Sequence, residues 1–512
     1  MPSNMLSNEW KRLKSGTDIR GVALPEGGRT VDLTDETVER IAAAFARWLS
    51  DKAGKPAAEL TVSVGRDSRL SGPRIREAVI RALTARGVRA MDCGLASTPA
   101  MFMTTVDGGC DGAIQITASH HPFDRNGLKF FTPAGGLDGG DIEALLLFAQ
   151  DGDGLPAAEG RAEAFPYMDR YAARLRDMIA RGLGEREEDR PLSGFRIVVD
   201  AGNGAGGFYA AQVLEPLGAD IGGSQFLEPD GRFPNHIPNP ENEEAMASVC
   251  AATVKAGADM GIIFDTDVDR AGCVDAAGRE INRNRLIALA AAIVLEENPG
   301  GTIVTDSITS SGLHRFIEEL GGVHCRFRRG YKNVINEALR LNAAGVNAPL
   351  AIETSGHAAL RENYFLDDGA YLATKLLIRA ARMRREGGRL EHLIDRLAEP
   401  AESVEVRFPI AEADFRAYGQ RVLEDLTALC GGREDWRLAP DSREGVRISL
   451  NRGGGEGWFL LRLSVHDPVM PLNIESDAPG GCRLIAQELA PFLHGYDGLD
   501  CGAFDSYLAQ AR

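Results

Sequence analysis

The stretch TVSVGRDSRLSG at residues 61–72 decides the fold, because an apolar strand pattern runs directly into a polar loop rich in glycine and serine. The same pattern returns in RIVVDAGNGAGG at residues 196–207 and in TIVTDSITSSG at residues 302–312. An amphipathic helix pattern follows each stretch. The repeated order of strand, short loop and helix predicts three related α/β units, each with a parallel sheet.

A second apolar strand in each unit ends in a loop that carries reactive side chains. These loops are the serine loop Thr117–Pro122, the carboxylate loop Asp265–Arg270 and the glutamate loop Glu353–His357. In open α/β sheets, ligands bind beyond the carboxyl ends of the strands. We therefore expect the three loops to face one shared cleft.

Changes in composition divide the chain into four predicted domains. Residues 151–163 are rich in glycine, alanine and acidic side chains, as linkers are, and EPAES at 399–403 is interpreted as a second linker. The tail has strand patterns at Val446–Leu450 and Trp458–Val465 and a helix pattern at Gly481–Leu493. The prediction is an α/β protein with a central cleft, composed of three related α/β domains at residues 1–163, 164–279 and 280–398 and a smaller C-terminal α+β domain at 399–512.

The charge and cysteine content bear on partners and location. Acidic residues number 74 against 57 basic residues, a net charge of −17, which argues against nucleic acid because phosphate backbones are bound by basic faces. The eight cysteines have neither zinc-site nor disulfide spacing, so reduced thiols and a cytoplasmic location are expected. The longest apolar stretch, Ile287–Leu295, is shorter than the roughly 20 residues that span a bilayer, so a buried helix and no membrane partner are predicted. The oligomeric state is left open between monomer and homodimer.

The carboxylate loop holds three acidic side chains at alternate positions, Asp265, Asp267 and Asp269. A period of two in extended chain would project them to the same side. Oxygen ligands without a softer donor nearby suit Mg²⁺, and Arg270 follows at once to offer a guanidinium to a phosphate. A solvated acidic turn is the plain alternative, but the buried-strand pattern GIIF at 261–264 holds the loop in place.

The serine loop places Ser119 between small residues at the end of an apolar strand, where a serine can be a nucleophile or carry a phosphoryl group. A lone serine in such a place is more often a turn residue. His120 and Lys129 favour the functional interpretation, because both can neutralise phosphate charge or move protons. The neighbouring His121 is expected to pack or to cap.

Further polar groups are weaker candidates. In the glutamate loop, Glu353 and Ser355 can grip two neighbouring sugar hydroxyls, and a helix N-cap formed by Thr354 or Ser355 is the alternative. Clustered cations usually form a solvated face. The candidate phosphate ligands are Arg20, Arg329, Lys332 and Arg462 with Ser464.

Taken together, these motifs resemble the α-D-phosphohexomutases, the family of phosphoglucomutase, phosphomannomutase and phosphoglucosamine mutase, over essentially the whole chain. The matching motifs, in chain order, are GTDIRG at 16–21, TASHHP at 117–122 with Lys129, GRFP at 231–234, PNP at 238–240, DTDVDR at 265–270, ETSGH at 353–357 and RLSVHDP at 462–468. Any one motif has little specificity, whereas the ordered set is specific.

The resemblance implies a phosphotransfer between the 1- and 6-positions of a hexose phosphate, with Mg²⁺ as cofactor and a sugar 1,6-bisphosphate as intermediate and activator. Ser119 would carry the phosphoryl group and bind the metal beside the aspartates, which requires the serine and carboxylate loops to meet. The implied metal ligands are Ser119, Asp265, Asp267 and Asp269. The implied catalytic residues are Ser119, His120, Lys129, Arg20 and His357. The implied substrate-binding residues are Arg270, Lys332, Glu353, Ser355, Arg462 and Ser464.

Three motifs depart from the family pattern. His121 stands where the family has Asn, Thr266 and Val268 stand where it has Gly, and His466 stands where Thr is common. The departures in the carboxylate loop stiffen it but keep its ligands. The two histidines bear on phosphate contact and substrate range.

Three alternatives stay open. Glucosamine phosphate is an alternative substrate, and no residue is assigned to the C2 hydroxyl that separates glucose from mannose. The run GIIFDTDV at 261–268 also resembles the first motif of haloacid-dehalogenase-type phosphatases, with Asp265 as nucleophile and Lys332 and Asp367 or Asp368 as later motifs. That interpretation leaves the serine loop unexplained. A non-catalytic sugar-phosphate-binding protein is the third alternative, against which the complete carboxylate set argues.

Overall fold

The computed structural model describes residues 5–450, 457–464 and 467–509. The chain forms two compact units, one of Met1–Leu286 with Ser355–Leu393 and the other of Ile287–Thr354 with Ile394–Arg512. It therefore leaves the first unit and later returns to it. The division falls inside the glutamate loop, between Thr354 and Ser355.

The first sheet of the first unit is mostly parallel at its centre. Its strands are β1 Lys14–Ser15, β2 Asp18–Val22, β3 Thr61–Arg66, β4 Arg89–Leu95, β5 Gly112–Ile116, β6 Arg125–Thr132, β7 Gly135–Gly136 and β8 Arg161–Ala164. They lie in the order β1-β2-β6-β5-β3-β4-β8, with β7 beside β6. The strand predicted at the start of residues 61–72 is β3, which runs parallel to β4 and β5.

The helices along this part of the chain are α1 Asn8–Lys11, α2 Asp35–Ala53, α3 Gly72–Thr84, α4 Thr98–Val106 and α5 Gly139–Asp151, followed by α6 Tyr167–Gly182, which packs against α4 and the helices of the next domain. α2 shows why such segments are helical. The Thr34 side chain accepts the Thr37 amide at its start, and Gly54 ends it in a left-handed conformation. Ile41 and Phe45, four residues apart, lie on its buried face.

The second sheet of the first unit carries the carboxylate loop. Its strands are β9 Ile197–Asp200, β10 Met260–Phe264, β11 Ala271–Asp275 and β12 Glu280–Ile281, in the order β12-β11-β10-β9. The helix α7 Glu243–Ala256 packs against β9 and β10. The helix expected after residues 196–207 is instead largely a π-helix at Tyr209–Leu214, whose wider turn buries Tyr209, Ala210, Val213 and Leu214.

The second unit begins with a smaller parallel arrangement. Its strands are β13 Thr302–Thr305, β14 Val323–Arg326 and β15 Leu350–Ile352, with β13 between the other two. The associated helices are α8 Arg283–Glu297, α9 Ser311–Glu319 and α10 Tyr331–Ala343. Residues 287–295 are buried within α8, which confirms the buried helix predicted there.

The chain then returns to the first unit before its last domain. The returning segment contains β16 Ala358–Leu360, β17 Leu366–Asp367 and α11 Gly369–Arg385. The Gly369 amide at the start of α11 donates to the Val268 carbonyl at 3.0 Å, so this helix supports the carboxylate loop.

The C-terminal part of the second unit is an antiparallel sheet with helices. The strands are β18 Glu402–Pro409, β19 Trp436–Leu438, β20 Val446–Leu450, β21 Gly457–Leu461 and β22 Val469–Ser476, in the order β18-β22-β21-β20-β19. The helices are α12 Phe415–Gly431, α13 Gly481–Leu493 and α14 Gly502–Ala509. The strand predicted at 446–450 and the helix predicted at 481–493 are confirmed, whereas the strand predicted from Trp458 ends earlier, at Leu461.

None of the helices in the described part of the chain combines the length and the apolar composition that crossing a bilayer requires.

Candidate active site

The serine loop begins where β5 ends. All five residues of β5 are buried, so the strand anchors the loop in the first sheet. The Thr117 hydroxyl accepts a hydrogen bond from the Ser119 amide at 2.9 Å, and Ser119 adopts a left-handed φ of 51°. Residues with a side chain rarely adopt this conformation, so the loop must be held in place by its surroundings.

The carboxylate loop joins β10 to β11. It is a tight turn rather than extended chain, since Val268 has a left-handed φ of 68° and its amide lies 3.4 Å from the Asp265 carbonyl oxygen. Strand-like alternation is therefore the wrong explanation for why the carboxylates converge. The turn itself brings one oxygen each of Asp265, Asp267 and Asp269 within 4.8 Å of one another.

The serine and carboxylate loops meet, which confirms that part of the prediction. The Ser119 hydroxyl donates to Oδ2 of Asp265 at 3.1 Å and accepts from Nη2 of Arg270 at 2.9 Å. Ser119 is only 3% exposed, and Asp265 and Arg270 are also buried. Two buried charged groups thus orient the hydroxyl.

The three carboxylates fit a divalent cation. Within the described residues, Oδ1 of Asp267 and Oδ1 of Asp269 are buried and accept no hydrogen bond. Such oxygens are costly to bury without a partner, and carboxylate oxygens are the ligands that Mg²⁺ takes. Burial, followed by the charges of Asp269 and Asp267, raises the pKa of Asp265 well above its ordinary value. A bound dication would oppose that rise and keep the carboxylates ionised.

Two cations balance the carboxylates in part. Nζ of Lys129 lies 2.5 Å from Oδ2 of Asp269 and 3.5 Å from Oδ2 of Asp267. Nε of Arg270 lies 3.3 Å from Oδ2 of Asp265. Burial alone would raise the pKa of Asp269, but the nearby positive charges, that of Lys129 first, outweigh burial and lower this pKa.

His120 and His357 border the same centre. Nδ1 of His120 lies 2.5 Å from Nη2 of Arg270, so this nitrogen is placed to accept the hydrogen bond. Nε2 of His357 lies 3.8 Å from Oδ1 of Asp269, and its Nδ1 lies 2.9 Å from the Ser355 hydroxyl. Burial lowers the pKa of His357 to about 3, although Asp269 opposes the shift. Removal from water, and then the charge of Arg270, lowers the pKa of His120 to about 2.

Arg20 lies in β2, in the first unit. Its guanidinium is paired with Asp18 at 2.7 Å, and Arg20 stands opposite Gly127 in the β2–β6 pair. After burial, its positive charge contributes to the lowered pKa values of His120, His121 and His357.

Glu353 and Lys332 belong to the second unit. Glu353 follows β15, is buried and accepts a hydrogen bond from the Gly330 amide at 2.6 Å. Lys332 is the second residue of α10 and is half-buried. The glutamate loop leads into β16 and no helix begins in this described segment, so the N-cap alternative for Thr354 or Ser355 is wrong.

Arg462 and Ser464 follow β21 in the second unit. Nη1 of Arg462 lies 3.8 Å from Oε1 of Glu444, and burial lowers the pKa of Arg462. Glu444 also accepts the Arg329 amide at 3.1 Å. The Ser464 hydroxyl accepts a backbone amide of the same loop at 3.2 Å. His466, one of the departures from the family pattern, lies outside the described residues.

Sequence reasoning missed three residues that contact this centre. Thr98, the first residue of α4, donates its hydroxyl to Oδ2 of Asp267 at 2.5 Å and its amide to the Asp267 carbonyl at 2.8 Å. Oδ1 of Asn239 accepts from Arg270 at 3.3 Å, and Glu241 lies 3.7 Å from the same guanidinium. Asn239 lies in the PNP motif, so the sequence could have marked it as a site residue. Thr98 carries no such mark, because its local sequence indicates only the start of a helix.

One of the two aspartates proposed as a late phosphatase motif, Asp368, has a structural role. Asp368 caps α11, where its carboxylate accepts the Tyr371 amide at 2.8 Å and the Tyr171 hydroxyl at 2.6 Å. This capping gives the phosphatase alternative no support.

Comparison with protein-family models matches three consecutive parts of the chain. Residues 11–146, 169–278 and 282–400 match the models described as phosphoglucomutase/phosphomannomutase, alpha/beta/alpha domains I, II and III. These matches leave the C-terminal antiparallel sheet as a further domain.

Curated proteins and a solved structure resemble the chain over most of its length. A phosphomannomutase/phosphoglucomutase of Pseudomonas putida is 31% identical over 466 residues, which are 89% of this chain and 93% of that protein. A phosphoglucomutase of Neisseria gonorrhoeae is 30% identical over 471 residues, 91% of this chain and 94% of that protein. The crystal structure of a phosphoglucomutase/phosphomannomutase family protein from Burkholderia thailandensis has a TM-score of 0.78 at 28% identity, covering 96% of this chain and 98% of that one.

Proposed function

The chain belongs to the phosphoglucomutase/phosphomannomutase family and is a phosphohexomutase, an isomerase, and we propose that Ser119 carries the phosphoryl group that it moves. One observation supports this proposal above all. The Ser119 hydroxyl lies between the Asp265 carboxylate and the Arg270 guanidinium in a buried setting. A serine so placed can take up a phosphoryl group away from bulk water.

We propose that Mg²⁺ is held by Asp265, Asp267 and Asp269 together with Ser119. The supporting observation is the pair of buried carboxylate oxygens without a hydrogen-bond donor among the described residues. When bound, Mg²⁺ supplies charge stabilisation for the transferring phosphoryl group. The chain holds the ligand set in place, since Lys129 and Thr98 each bond one of the carboxylates.

The groups around Ser119 have different roles in the proposed phosphoryl transfer. A sugar hydroxyl bonds to phosphorus while the bond from phosphorus to Ser119 Oγ breaks, so the hydroxyl loses a proton and Oγ gains one. Arg270 already donates to Oγ and is placed to stabilise charge on the phosphoryl oxygens. The groups to which we assign proton movement and its charge balance are His120, Lys129, His357 and Arg20.

The reaction also needs a place for the phosphate that is not reacting. The first transfer yields a hexose 1,6-bisphosphate, which must then present its other phosphate to Ser119. We assign the remote phosphate to Arg462 and Ser464, because the Arg462 guanidinium is only loosely paired with Glu444, at 3.8 Å. The remaining assigned substrate contacts are Arg270, Lys332, Glu353 and Ser355.

Replacement of Ser119 tests the proposal. Ser119→Ala is expected to abolish mutase turnover and the stoichiometric labelling of the chain by radiolabelled glucose 1,6-bisphosphate. The matched control is Ser63→Ala, a buried serine of β3 that bonds Thr104 and is expected to retain both. Near-normal turnover in Ser119→Ala, or label recovered on Asp265, refutes the mechanism.

The preferred sugar is assigned by a separate measurement. We propose glucose and mannose phosphates as substrates, because the relatives' names contain both sugars. Initial rates with the 1-phosphates of glucose, mannose and glucosamine, each with Mg²⁺ and a bisphosphate activator, decide the order. A clear preference for glucosamine 1-phosphate would overturn this assignment.

A further inference from the structure

Arg69, in the loop between β3 and α3, is a charged residue without a role in the proposed mechanism. Its side chain is 0% exposed. Burying a guanidinium is costly unless every side of it finds a partner. Nε of Arg69 lies 3.3 Å from Oδ2 of Asp67, an ion-pair contact without a hydrogen bond, and the two terminal nitrogens bond other partners.

Both terminal nitrogens donate to backbone carbonyls of the serine loop and the residues just after it. Nη1 donates to the carbonyls of Pro122 at 2.8 Å and Arg125 at 3.0 Å. Nη2 donates to the carbonyls of His121 at 2.6 Å and of Ser119 itself. One planar group thus gathers four carbonyl oxygens from residues 119–125, a geometry that an ammonium group cannot reproduce.

These bonds act on the residue proposed to carry the phosphoryl group. Ser119 has its left-handed φ of 51°, which persists only where surrounding contacts impose it. Arg69 binds the Ser119 carbonyl on one side, while the Ser119 hydroxyl bonds Asp265 and Arg270 on the other. The orientation of the Ser119 hydroxyl therefore depends on where Arg69 holds the main chain of the serine loop.

A segment of the second sheet's domain covers Arg69. The ring of Phe233 lies 5.3 Å from the guanidinium carbon, in cation–π contact. Gly231 lies so close that an added Cβ would stand 2.4 Å from the amide nitrogen of Leu70. The GRFP motif at 231–234, to which the mechanism gave no role, therefore closes the pocket around Arg69.

We propose that Arg69 is the positioning residue of the serine loop, held in place by the Gly231–Pro234 segment. This inference rests on the proposed function, because it assumes that Ser119 is the phosphoryl carrier. Arg69 touches neither the substrate nor the reacting atoms. It sets the rate of transfer through the aim of Ser119 rather than the binding of the sugar.

The test compares Arg69→Lys with Arg40→Lys by rapid quench of the Ser119-phosphorylated enzyme with hexose monophosphate. Arg40 is the matched control, since its guanidinium also bonds backbone carbonyls, those of Ala149 and Gln150 at the end of α5. If Arg69→Lys displaces the serine loop, single-turnover transfer is expected to slow about 100-fold while KM stays within about twofold of the wild-type value. Arg40→Lys is expected to transfer at the wild-type rate.

Phe233→Leu supplies a second variant should Arg69→Lys fail to fold. Removal of the aromatic face predicts a transfer rate about fivefold lower with KM unchanged. Wild-type transfer rates in Arg69→Lys, or in Phe233→Leu when only that variant folds, overturn the inference. A rise in KM that matches the fall in transfer rate also overturns it, because that pattern indicates a general loss of structure around the site. Absence of phosphate on Ser119 in the wild-type enzyme would instead overturn the proposed function.

Discussion

The two units contain polar sites of different kinds. In the first unit, Ser119, Asp265 and Arg270 are buried and bonded to one another at 2.9–3.3 Å. In the second unit, Nη1 of Arg462 lies 3.8 Å from Oε1 of Glu444, and the Ser464 hydroxyl accepts the Asp467 amide at 3.2 Å. Preorganised buried charges favour a transition state, whereas loosely paired cations can exchange one anion for another. We therefore expect the first site to govern kcat and the second to govern KM.

The largest expected effect comes from removing one charge of the carboxylate loop. Asp267→Asn is expected to lower kcat by about 1,000-fold, because the neutral amide weakens the electrostatic stabilisation that the site provides. Steady-state kinetics and calorimetric titration with Mg²⁺ measure the effect. Asp220→Asn, which loses a surface pair with Arg196 at 2.7 Å, is the control and is expected to keep wild-type values. Normal Mg²⁺ binding in Asp267→Asn would contradict the metal assignment.

The second prediction addresses the remote site. Arg462→Gln is expected to raise KM about 30-fold through loss of a charge-assisted hydrogen bond to phosphate. kcat is expected to stay within about threefold, because the reacting groups are untouched. Arg437→Gln, on the exposed part of β19, serves as the control. A fall in kcat at constant KM would remove the distinction between the two sites.

The third prediction concerns the hydrogen bond from Thr98 to Asp267 in the first site. Thr98→Val is expected to weaken Mg²⁺ affinity about tenfold, because outer partners orient metal-ligating carboxylates. The measurement is the Mg²⁺ concentration that gives half-maximal activity, checked by direct titration. Thr105→Val removes a buried hydroxyl of the same helix that bonds the Phe102 carbonyl at 2.7 Å, and it is expected to leave this concentration unchanged. Equal shifts in both variants would indicate a general effect on α4.

The smallest expected effect tests the strain in the carboxylate loop. Val268 is buried with a left-handed φ, so Val268→Ala loses packing and keeps the strain, whereas Val268→Gly loses packing and relieves it. Val268→Gly is therefore expected to be more stable than Val268→Ala by about 1 kcal/mol. Urea unfolding of both variants gives the difference. A more stable alanine variant would show that the turn is not strained.

Sequence patterns located the main site residues because those residues follow buried strands. Ser119 comes shortly after β5 and Asp265 directly after β10, so the strand pattern predicts where each loop lies. The same reasoning failed for Thr98, whose partner Asp267 is 169 positions away, since no local pattern records such a contact. Sequence reasoning also gave the wrong cause for the convergence of the three carboxylates. The tight turn that brings them together needs a left-handed Val268, a conformation that valine rarely adopts and that the sequence therefore does not predict.

The sequence by itself determined the order of strands, loops and helices and the chemical groups at the strand ends, because these follow from local apolar periodicity and from residue type. Only the tertiary structure decided how the Ser119 hydroxyl is aimed, since its partners Asp265 and Arg270 are 146 and 151 positions away. Tertiary structure also decided that Arg69 donates its hydrogen bonds to carbonyl oxygens in and just after the serine loop. A buried guanidinium bonds whichever oxygens the folded chain brings to it.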